Sequence, residues 1–228
     1  EAMRGFHEPQ QLRESRPTGN ADVFAARARH VEKMLTGGAP ERFDPPARAR
    51  PKIIIVFDDM GIDRAAFEEV MALPGPLTLS FLPYADGVQP MVDRAISAGH
   101  EIMLHLRMQR KGPADPGPKS LSVSMNGSEL LATLDWNLKR IDGYVGVNNH
   151  MGSRFTRHEA SMKTVLSVLA KEGLFFLDSV TTGATVAPAA GRAVGATVFS
   201  RDVFLDPEAG RETVIRQLAL VERIAEET

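Results

Sequence analysis

Two adjacent carboxylates, Asp58 and Asp59, directly follow the apolar run at residues 53–57. A short apolar run rich in β-branched residues predicts a buried strand, and two negative charges at its end repel each other where the dielectric is low. No basic residue adjoins them in the sequence, so a bound cation or a shared proton would relieve the repulsion. The simpler interpretation is a turn, in which Asp59 caps the segment that leads to Gly61.

Two histidines could share a cation with these carboxylates. His105 ends an otherwise apolar stretch, where a histidine is more often a buried core residue than a ligand. His150 lies among asparagines, a glycine and a serine, a composition typical of functional loops at strand ends. An aspartate with two histidines suits a catalytic zinc, although the same set matches the facial triad of non-haem iron enzymes.

Later predicted strands also end in polar residues. These are Asn148, Asn149 and Ser153 after the fourth strand, Asp178 and Ser179 after the fifth, and Arg201 after the sixth. In α/β folds with parallel strands the functional site lies at the carboxyl ends of the strands. The sequence therefore predicts that these side chains gather at one edge of the sheet.

The composition limits the classes of partner and of metal site. The chain has 228 residues, 27 of them basic and 29 acidic, which gives a net charge of −2 and no electrostatic reason to expect a nucleic acid or an anionic membrane as partner. It contains no cysteine, which excludes disulfides and thiolate ligands. Any metal must therefore be held by histidine, aspartate or glutamate.

Residues 1–50 differ in composition from the rest of the chain. They are rich in proline, glycine and arginine, and we predict a tail and linker with one short helix over residues 22–35. No apolar run reaches the roughly 20 residues that span a bilayer, and no signal peptide is visible. The chain begins at Glu1 rather than methionine, which predicts a fragment or a processed form and leaves an upstream anchor or export segment open.

From Lys52 onward the pattern alternates between strands and helices. Strands are predicted at residues 53–57, 77–82, 101–106, 144–148, 174–177 and 196–199. Helices are predicted at residues 64–72, 88–99, 128–141 and 212–224, with a further one opened by a capping box of Thr156 and Glu159. The alternation indicates an α/β fold with a parallel sheet and right-handed crossovers.

Five motifs resemble, in order, those of the divergent polysaccharide deacetylases, YibQ-like bacterial proteins related to the NodB-type carbohydrate esterases. The motifs are residues 58–61, 99–108, 148–153, 176–181 and 201–206. The resemblance runs from about Lys52 to the end of the chain. It implies that residues 51–228 form a distorted (β/α) barrel of the glycoside hydrolase/deacetylase type, smaller and less regular than an eight-stranded one.

The same resemblance implies roles for individual residues. Asp58 matches the catalytic base, and Asp59 and His105 match metal ligands; His150 would be the other imidazole ligand. Asp178 matches an aspartate that orients catalytic groups. Zinc, or another divalent metal, would activate water for attack on an acetamide carbonyl. We expect contacts with the sugar from further residues, namely Asn148, Asn149, Ser153, Ser179 and Arg201.

By resemblance, the substrate is an N-acetylated envelope glycan of the peptidoglycan type, and the location is the bacterial periplasm or cell envelope. Two departures favour an alternative. Gln109 replaces a second histidine of the ordinary motif, and the relatives' Gly-His-Pro strand is expected beyond Thr228. The alternative is a non-catalytic barrel that binds glycan or an envelope protein partner. A metal-dependent hydrolase of another ester or amide is a third interpretation.

Overall fold

The computed structural model describes residues 52–113 and 117–227. The predicted tail and short helix of residues 1–50, and the domain boundary after them, lie outside the described residues. Within the described ranges, no helix combines the length and apolarity needed to cross a membrane.

Six parallel strands form one sheet in sequence order, β1-β2-β3-β4-β5-β6. They are β1 (Val56–Met60), β2 (Thr78–Phe81), β3 (Glu101–Met108), β4 (Gly146–Met151), β5 (Phe175–Asp178) and β6 (Val198–Ser200). Sequential order with a helix between neighbours is the repeat of a (β/α) barrel. The six parallel strands in sequence order confirm the predicted distorted (β/α) barrel. Among the described residues, β1 and β6 do not pair with each other, so the sheet is open between them.

Helices follow each strand. They are α1 (Arg64–Met71), α2 (Val88–Ser97), α3 (Gly127–Leu138), α4 (Glu159–Lys171), α5 (Ala187–Val194) and α6 (Arg211–Glu227). The sequence did not predict α5, a short helix of eight residues that includes a proline and a glycine, both poor helix formers. α5 packs closely on β6: a Cβ added to Gly191 would lie 2.4 Å from Val198 Cγ2.

One face of the sheet is apolar and the other carries several buried polar side chains, because side chains alternate along each strand. Leu79, Leu104, Val147 and Phe176 belong to the buried apolar cluster that also includes residues of the helices. The residues between them project from the opposite face; they include Ser80, His105 and Asn148, all buried. The central strands therefore alternate between residues of the apolar cluster and residues that face the candidate site.

The first strand begins three residues later than predicted. Ile53 and Ile54 are 44% and 77% exposed and precede β1, so the two aspartates lie within the strand rather than after it. The register with β2 shifts between Phe57 and Met60, where two residues of β1 oppose one of β2. This β-bulge, with Asp59 at φ 58°, allows successive carboxylates to reach the same neighbour.

The predicted capping box before α4 is wrong. Thr156 lies in a 3₁₀ turn, Phe155–Arg157, and its buried hydroxyl donates to the Gly152 carbonyl over 3.0 Å. The helix instead begins after His158, whose Nδ1 accepts from the Ser161 backbone N–H. A buried threonine hydroxyl finds its acceptor locally, so it is not available to cap a later turn.

Close packing beneath the site generates one prediction on stability. A Cβ added to Gly146 would lie 2.5 to 2.7 Å from atoms of the Phe175 ring. We expect Gly146→Ala to lower the free energy of unfolding by about 1–3 kcal/mol, because the added methyl group would overlap the Phe175 ring. Urea denaturation measures this change.

Gly127→Ala is the matched control, since a Cβ there would have no neighbour within 4 Å. It should change stability by less than about 0.5 kcal/mol. Replacing Phe175 with leucine in the Gly146→Ala variant should restore part of the loss. Equal stability of the two alanine variants would contradict the packing described here.

Candidate metal centre at the carboxyl ends of the strands

Side chains from β1, β3 and β4 converge at the carboxyl ends of the strands. The Asp59 carboxylate Oδ1 lies 2.8 Å from His150 Nδ1 and 3.3 Å from His105 Nε2. The two ring nitrogens are 3.2 Å apart. One ligand atom from each residue lies within 4.8 Å of the other two, so the structure brings together the three predicted metal ligands.

These separations fit a divalent metal. Zinc lies about 2.0–2.1 Å from nitrogen and oxygen ligands, so tetrahedral geometry separates two ligand atoms by about 3.3 Å. The observed separations of 2.8, 3.2 and 3.3 Å are close to that value. Two imidazoles and a carboxylate leave room for water at a catalytic zinc, and the donor set therefore fits a metal.

Contacts within this cluster shift the pKa values of Asp59 and His105. Hydrogen bonds from His105 and His150 hold the pKa of Asp59 far below its usual range. Burial by itself lowers the pKa of His105, but the charge of Asp58 and the hydrogen bond and charge of Asp59 outweigh it. The pKa of His105 is therefore raised, and the metal-free cluster favours an imidazolium beside a carboxylate.

Asp58, the predicted base, lies beside this cluster and outside the ligand set. Its Oδ1 accepts a hydrogen bond of 2.7 Å from the Asn148 side-chain amide, and His105 Nδ1 lies 3.6 Å away. The Asp58 side chain remains 42% exposed. A carboxylate that is held on one oxygen and open to solvent can accept a proton from a neighbouring molecule.

Asn148 and Asn149, predicted to contact substrate, are both 1% exposed and bond to protein groups. Asn148 bonds to His105, Asp58 and Ser80. Asn149 joins β4 to β5: its Oδ1 accepts from the Ser179 N–H over 2.9 Å, and the Ser179 hydroxyl donates to the Asn149 carbonyl. This burial favours support of the site over direct contact with a sugar.

Asp178 is fully buried and holds the turn after β5. Its Oδ1 accepts from the Val180 N–H over 2.9 Å and its Oδ2 from the Thr185 hydroxyl over 2.6 Å. Val180 adopts φ 48°, a conformation that is costly for a β-branched residue. The contacts of Asp178 therefore hold a strained turn, and its role in orienting catalytic groups stays a prediction.

Arg201, the residue after β6, holds the same turn through hydrogen bonds. Its Nε donates to the Ser179 carbonyl over 2.9 Å and its Nη2 to the Val180 carbonyl over 3.4 Å. The guanidinium carbon lies 4.6 Å from the centre of the Phe204 ring, which is itself exposed. Burial lowers the pKa of Arg201, partly offset by Asp58 and Asp178.

Ser153 and Gln109 contribute to the loops around the site. The Ser153 hydroxyl accepts from the Lys111 N–H over 3.0 Å. Gln109 Oε1 accepts from the Ser122 hydroxyl and from the Val123 N–H, both over 3.1 Å. Gln109 therefore anchors the segment after β3, and in this chain the second imidazole of the cluster comes from His150 on β4.

Sequence reasoning missed Ser80 and Thr185. Ser80 is buried on β2 and donates to Asn148 Oδ1 over 2.5 Å, and Thr185 donates to Asp178. For Ser80 a signal was present, because it is the polar residue inside the apolar strand Thr78–Phe81 at the position that faces His105 and Asn148. For Thr185 no spacing rule links a residue seven positions on to the carboxylate.

Comparison with known proteins agrees with this fold and site. Residues 55–228 match the family model described as divergent polysaccharide deacetylase. The chain therefore belongs to the divergent polysaccharide deacetylase family.

Among the relatives, the uncharacterised protein YibQ of Escherichia coli strain K12 is 34% identical over 155 residues, 68% of this chain and 49% of that protein. An uncharacterised protein of Haemophilus influenzae is 28% identical over 158 residues, 69% of this chain and 56% of that protein. The chain thus spans about half the length of the curated relatives it matches.

A solved structure shares the fold. The crystal structure of the uncharacterised protein ATU2773 from Agrobacterium tumefaciens C58 superposes with a TM-score of 0.76 and 28% identity, over 81% of this chain and 76% of that one. The distorted barrel is therefore shared with a solved relative.

The raised pKa of His105 predicts that zinc affinity depends on pH. A metal ligand must be unprotonated, so binding displaces the His105 proton. We expect zinc affinity to rise as the pH rises through the folded pKa of His105, which lies above the ordinary value of 6.5, and protons to be released on binding. Calorimetric titration in buffers of different ionisation enthalpy measures both quantities.

The free energy of unfolding of the metal-free protein should also depend on pH, and the contributions of His105 and Asp59 have opposite signs. The raised pKa of His105 contributes stability that is fully present below its ordinary value of 6.5 and is lost as the pH rises through the folded value. The lowered pKa of Asp59 contributes stability that is present above its ordinary value of 3.8 and is lost as the pH falls through the folded value.

His158→Gln, outside the cluster, is the control for the zinc measurement and should leave the pH dependence of zinc binding intact. A zinc affinity of the wild type that does not change with pH would contradict the account.

Proposed function

We propose that the protein is a metal-dependent polysaccharide deacetylase acting on N-acetylated envelope carbohydrate. The observation that carries the proposal is the arrangement of Asp58. It is a partly exposed carboxylate beside a set of three converging ligand atoms, and it is not itself one of them. Family membership supports the reaction class.

The metal would be held by Asp59 Oδ1, His105 Nε2 and His150 Nδ1. We propose zinc, with another divalent ion as the alternative, and when bound it supplies Lewis-acid activation of water and of the acetamide carbonyl. The absence of cysteine from the chain restricts the ligands to the nitrogen and oxygen donors that this cluster offers.

The chain's own residues perform the proton transfers. Asp58 accepts the proton of the attacking water, since the Asn148 amide engages Oδ1 and leaves Oδ2 to receive it. The same carboxyl group then returns that proton to the leaving amine of the sugar, so that acetate and a free amino sugar result. Fixing Asp58 by a hydrogen bond lowers the cost of orienting it in the transition state.

The turn at β5 forms a wall of this site. Arg201 and Asp178 hold the backbone of Ser179 and Val180. We propose that Ser153, Ser179 and Arg201 lie near the bound sugar, and that Asn148 and Asn149 act from behind the surface. The exposed Phe204 ring beside Arg201 offers an apolar face of the kind on which sugar rings pack.

The proposed substrate is a glycan of the peptidoglycan type, and the proposed location is therefore the bacterial periplasm or cell envelope. The net charge of −2 gives no support for a nucleic acid partner. An envelope protein is the partner class that agrees with this location.

A second candidate function is glycan or partner binding without turnover. Gln109 stands where the ordinary motif has a histidine, and its side-chain oxygen is engaged by Ser122 and Val123. A groove of about 430 Å³ lies beside it, lined largely by polar side chains: Gln109, Lys119, Ser120, Ser122 and Thr133. Hydroxyl and amide groups of this kind suit the hydroxyls of a glycan.

Asp58→Asn tests the proposed function. We expect acetate release from chitin oligomers or peptidoglycan fragments to fall by about 10²- to 10⁴-fold, because the general base is lost. Zinc affinity should stay within a few-fold, since Asp58 lies outside the ligand set. Acetate is measured enzymatically and bound zinc by elemental analysis.

Asp135→Asn, on the exposed face of α3, is the matched control and should leave both quantities unchanged. Asp59→Asn should lose zinc and acetate release together. If the wild type binds zinc and glycan but releases no acetate, the deacetylase proposal fails and the second candidate gains support.

A further inference from the structure

Asn148 contacts both halves of the proposed site through one side chain. Its Nδ2 is 2.7 Å from Asp58 Oδ1, and its Oδ1 is 2.8 Å from His105 Nδ1. The Ser80 hydroxyl donates to the same Oδ1. With 1% exposure, Asn148 is closed to solvent and bonds only within the protein.

The chemistry of the partners assigns the direction of these hydrogen bonds. An ionised carboxylate can only accept, so the Asn148 atom that faces Asp58 must be the NH₂ group. The carbonyl oxygen of Asn148 then faces His105, and His105 Nδ1 must carry a proton and donate it. The distance of 3.6 Å from His105 Nδ1 to Asp58 is too long for a competing hydrogen bond.

This assignment determines which ring nitrogen of His105 is available to a metal. With the proton on Nδ1, the neutral ring has its lone pair on Nε2. Nε2 is the atom that lies 3.3 Å from Asp59 Oδ1 and 3.2 Å from His150 Nδ1. The amide of Asn148 therefore selects the tautomer that suits the metal cluster.

Strand pairing places Asn148 where it can do this. His105 on β3 and Asn148 on β4 are direct partners in the parallel register, so their side chains project from the same face. Ser80 on β2 donates to the same Asn148 carbonyl oxygen and adds a third hydrogen bond that holds this side chain.

We propose that Asn148 is a positioning residue that couples the metal ligand to the base: its carbonyl fixes the His105 tautomer, and its NH₂ group fixes Asp58. This proposal rests on the proposed function only in one respect, that Asp58 is called the catalytic base. The coupling can be tested without turnover, so the two ideas can fail separately.

Asn148→Ala removes both hydrogen bonds, and Asn148→Asp retains an acceptor for His105 while it replaces the donor to Asp58. In the alanine variant, ¹⁵N spectra of the histidine rings of metal-free protein at alkaline pH should show loss of the Nδ1–H preference of His105. Zinc affinity should fall by about 10- to 100-fold, as for other groups that orient a metal-bound histidine. In Asn148→Asp the Nδ1–H tautomer should persist.

A double-mutant cycle tests the contact with Asp58. The effects of Asn148→Ala and Asp58→Ala on unfolding in urea should not add, because each variant removes the same hydrogen bond. Asn137 supplies the matched control, since it is equally buried but bonds to the carbonyls of Lys119 and Thr133. Asn137→Ala should lower stability, add to Asp58→Ala, and change neither the His105 tautomer nor zinc affinity.

Several outcomes would overturn the proposal. They are an unchanged His105 tautomer in Asn148→Ala, zinc affinity within about twofold of the wild type, and additive effects in the Asn148–Asp58 cycle. If Asn148→Ala does not fold, Asn148→Asp gives the decision: loss of the Nδ1–H tautomer of His105 in the aspartate variant would contradict the proposal. Absence of acetate release from the wild type would remove the deacetylase proposal and leave these results standing.

Discussion

Burying an imidazole in a sheet face is unfavourable unless both of its nitrogens find partners, and much of the site follows from how this chain satisfies His105. The ring is 3% exposed and has Asn148 on one nitrogen and Asp59 on the other. Asp58 adds a negative charge nearby. Asn148 comes from β4, which pairs with β3, and the two aspartates come from β1, on the far side of β2, so the order of the sheet brings them together.

The local irregularities of the backbone serve the same end. The bulge in β1 lets both Asp58 and Asp59 approach His105. Three non-glycine residues at or next to strand ends adopt a positive φ: Asp59, Met151 and Val180. Such conformations are costly and persist where the surroundings hold them, as Asp178 and Arg201 hold Val180. Strain of this kind is concentrated at the carboxyl ends of the strands, where the candidate site lies.

Much of the fold could be predicted from the sequence, because apolar runs alternate regularly with the glycine and proline residues that end strands and helices. The six parallel strands, the barrel type and five of the helices agree with the prediction. Strand ends were less accurate: β1 and β4 lie two to three residues further along than expected, since apolar composition does not mark where pairing stops. Helix α5 was missed because it is only eight residues long and contains a proline and a glycine, which are typical of loops.

The candidate ligands could be predicted from residue type at strand ends, and the structure brings Asp59, His105 and His150 together. The roles of the asparagines could not, because an asparagine at a strand end is compatible with substrate contact and with internal support alike. Only the register, which sets Asn148 beside His105 and leaves it buried, separates these roles. Ser80 and Thr185 were not predicted as part of the site, because no sequence spacing links them to their hydrogen-bond partners Asn148 and Asp178.

The most direct test of the account is anomalous X-ray scattering at the zinc edge from crystals of the protein grown with zinc. The account predicts an anomalous peak about 2.0–2.2 Å from Asp59 Oδ1, His105 Nε2 and His150 Nδ1. Crystals that contain zinc elsewhere but show no peak at these three atoms would contradict the metal centre from which the proposed function is built.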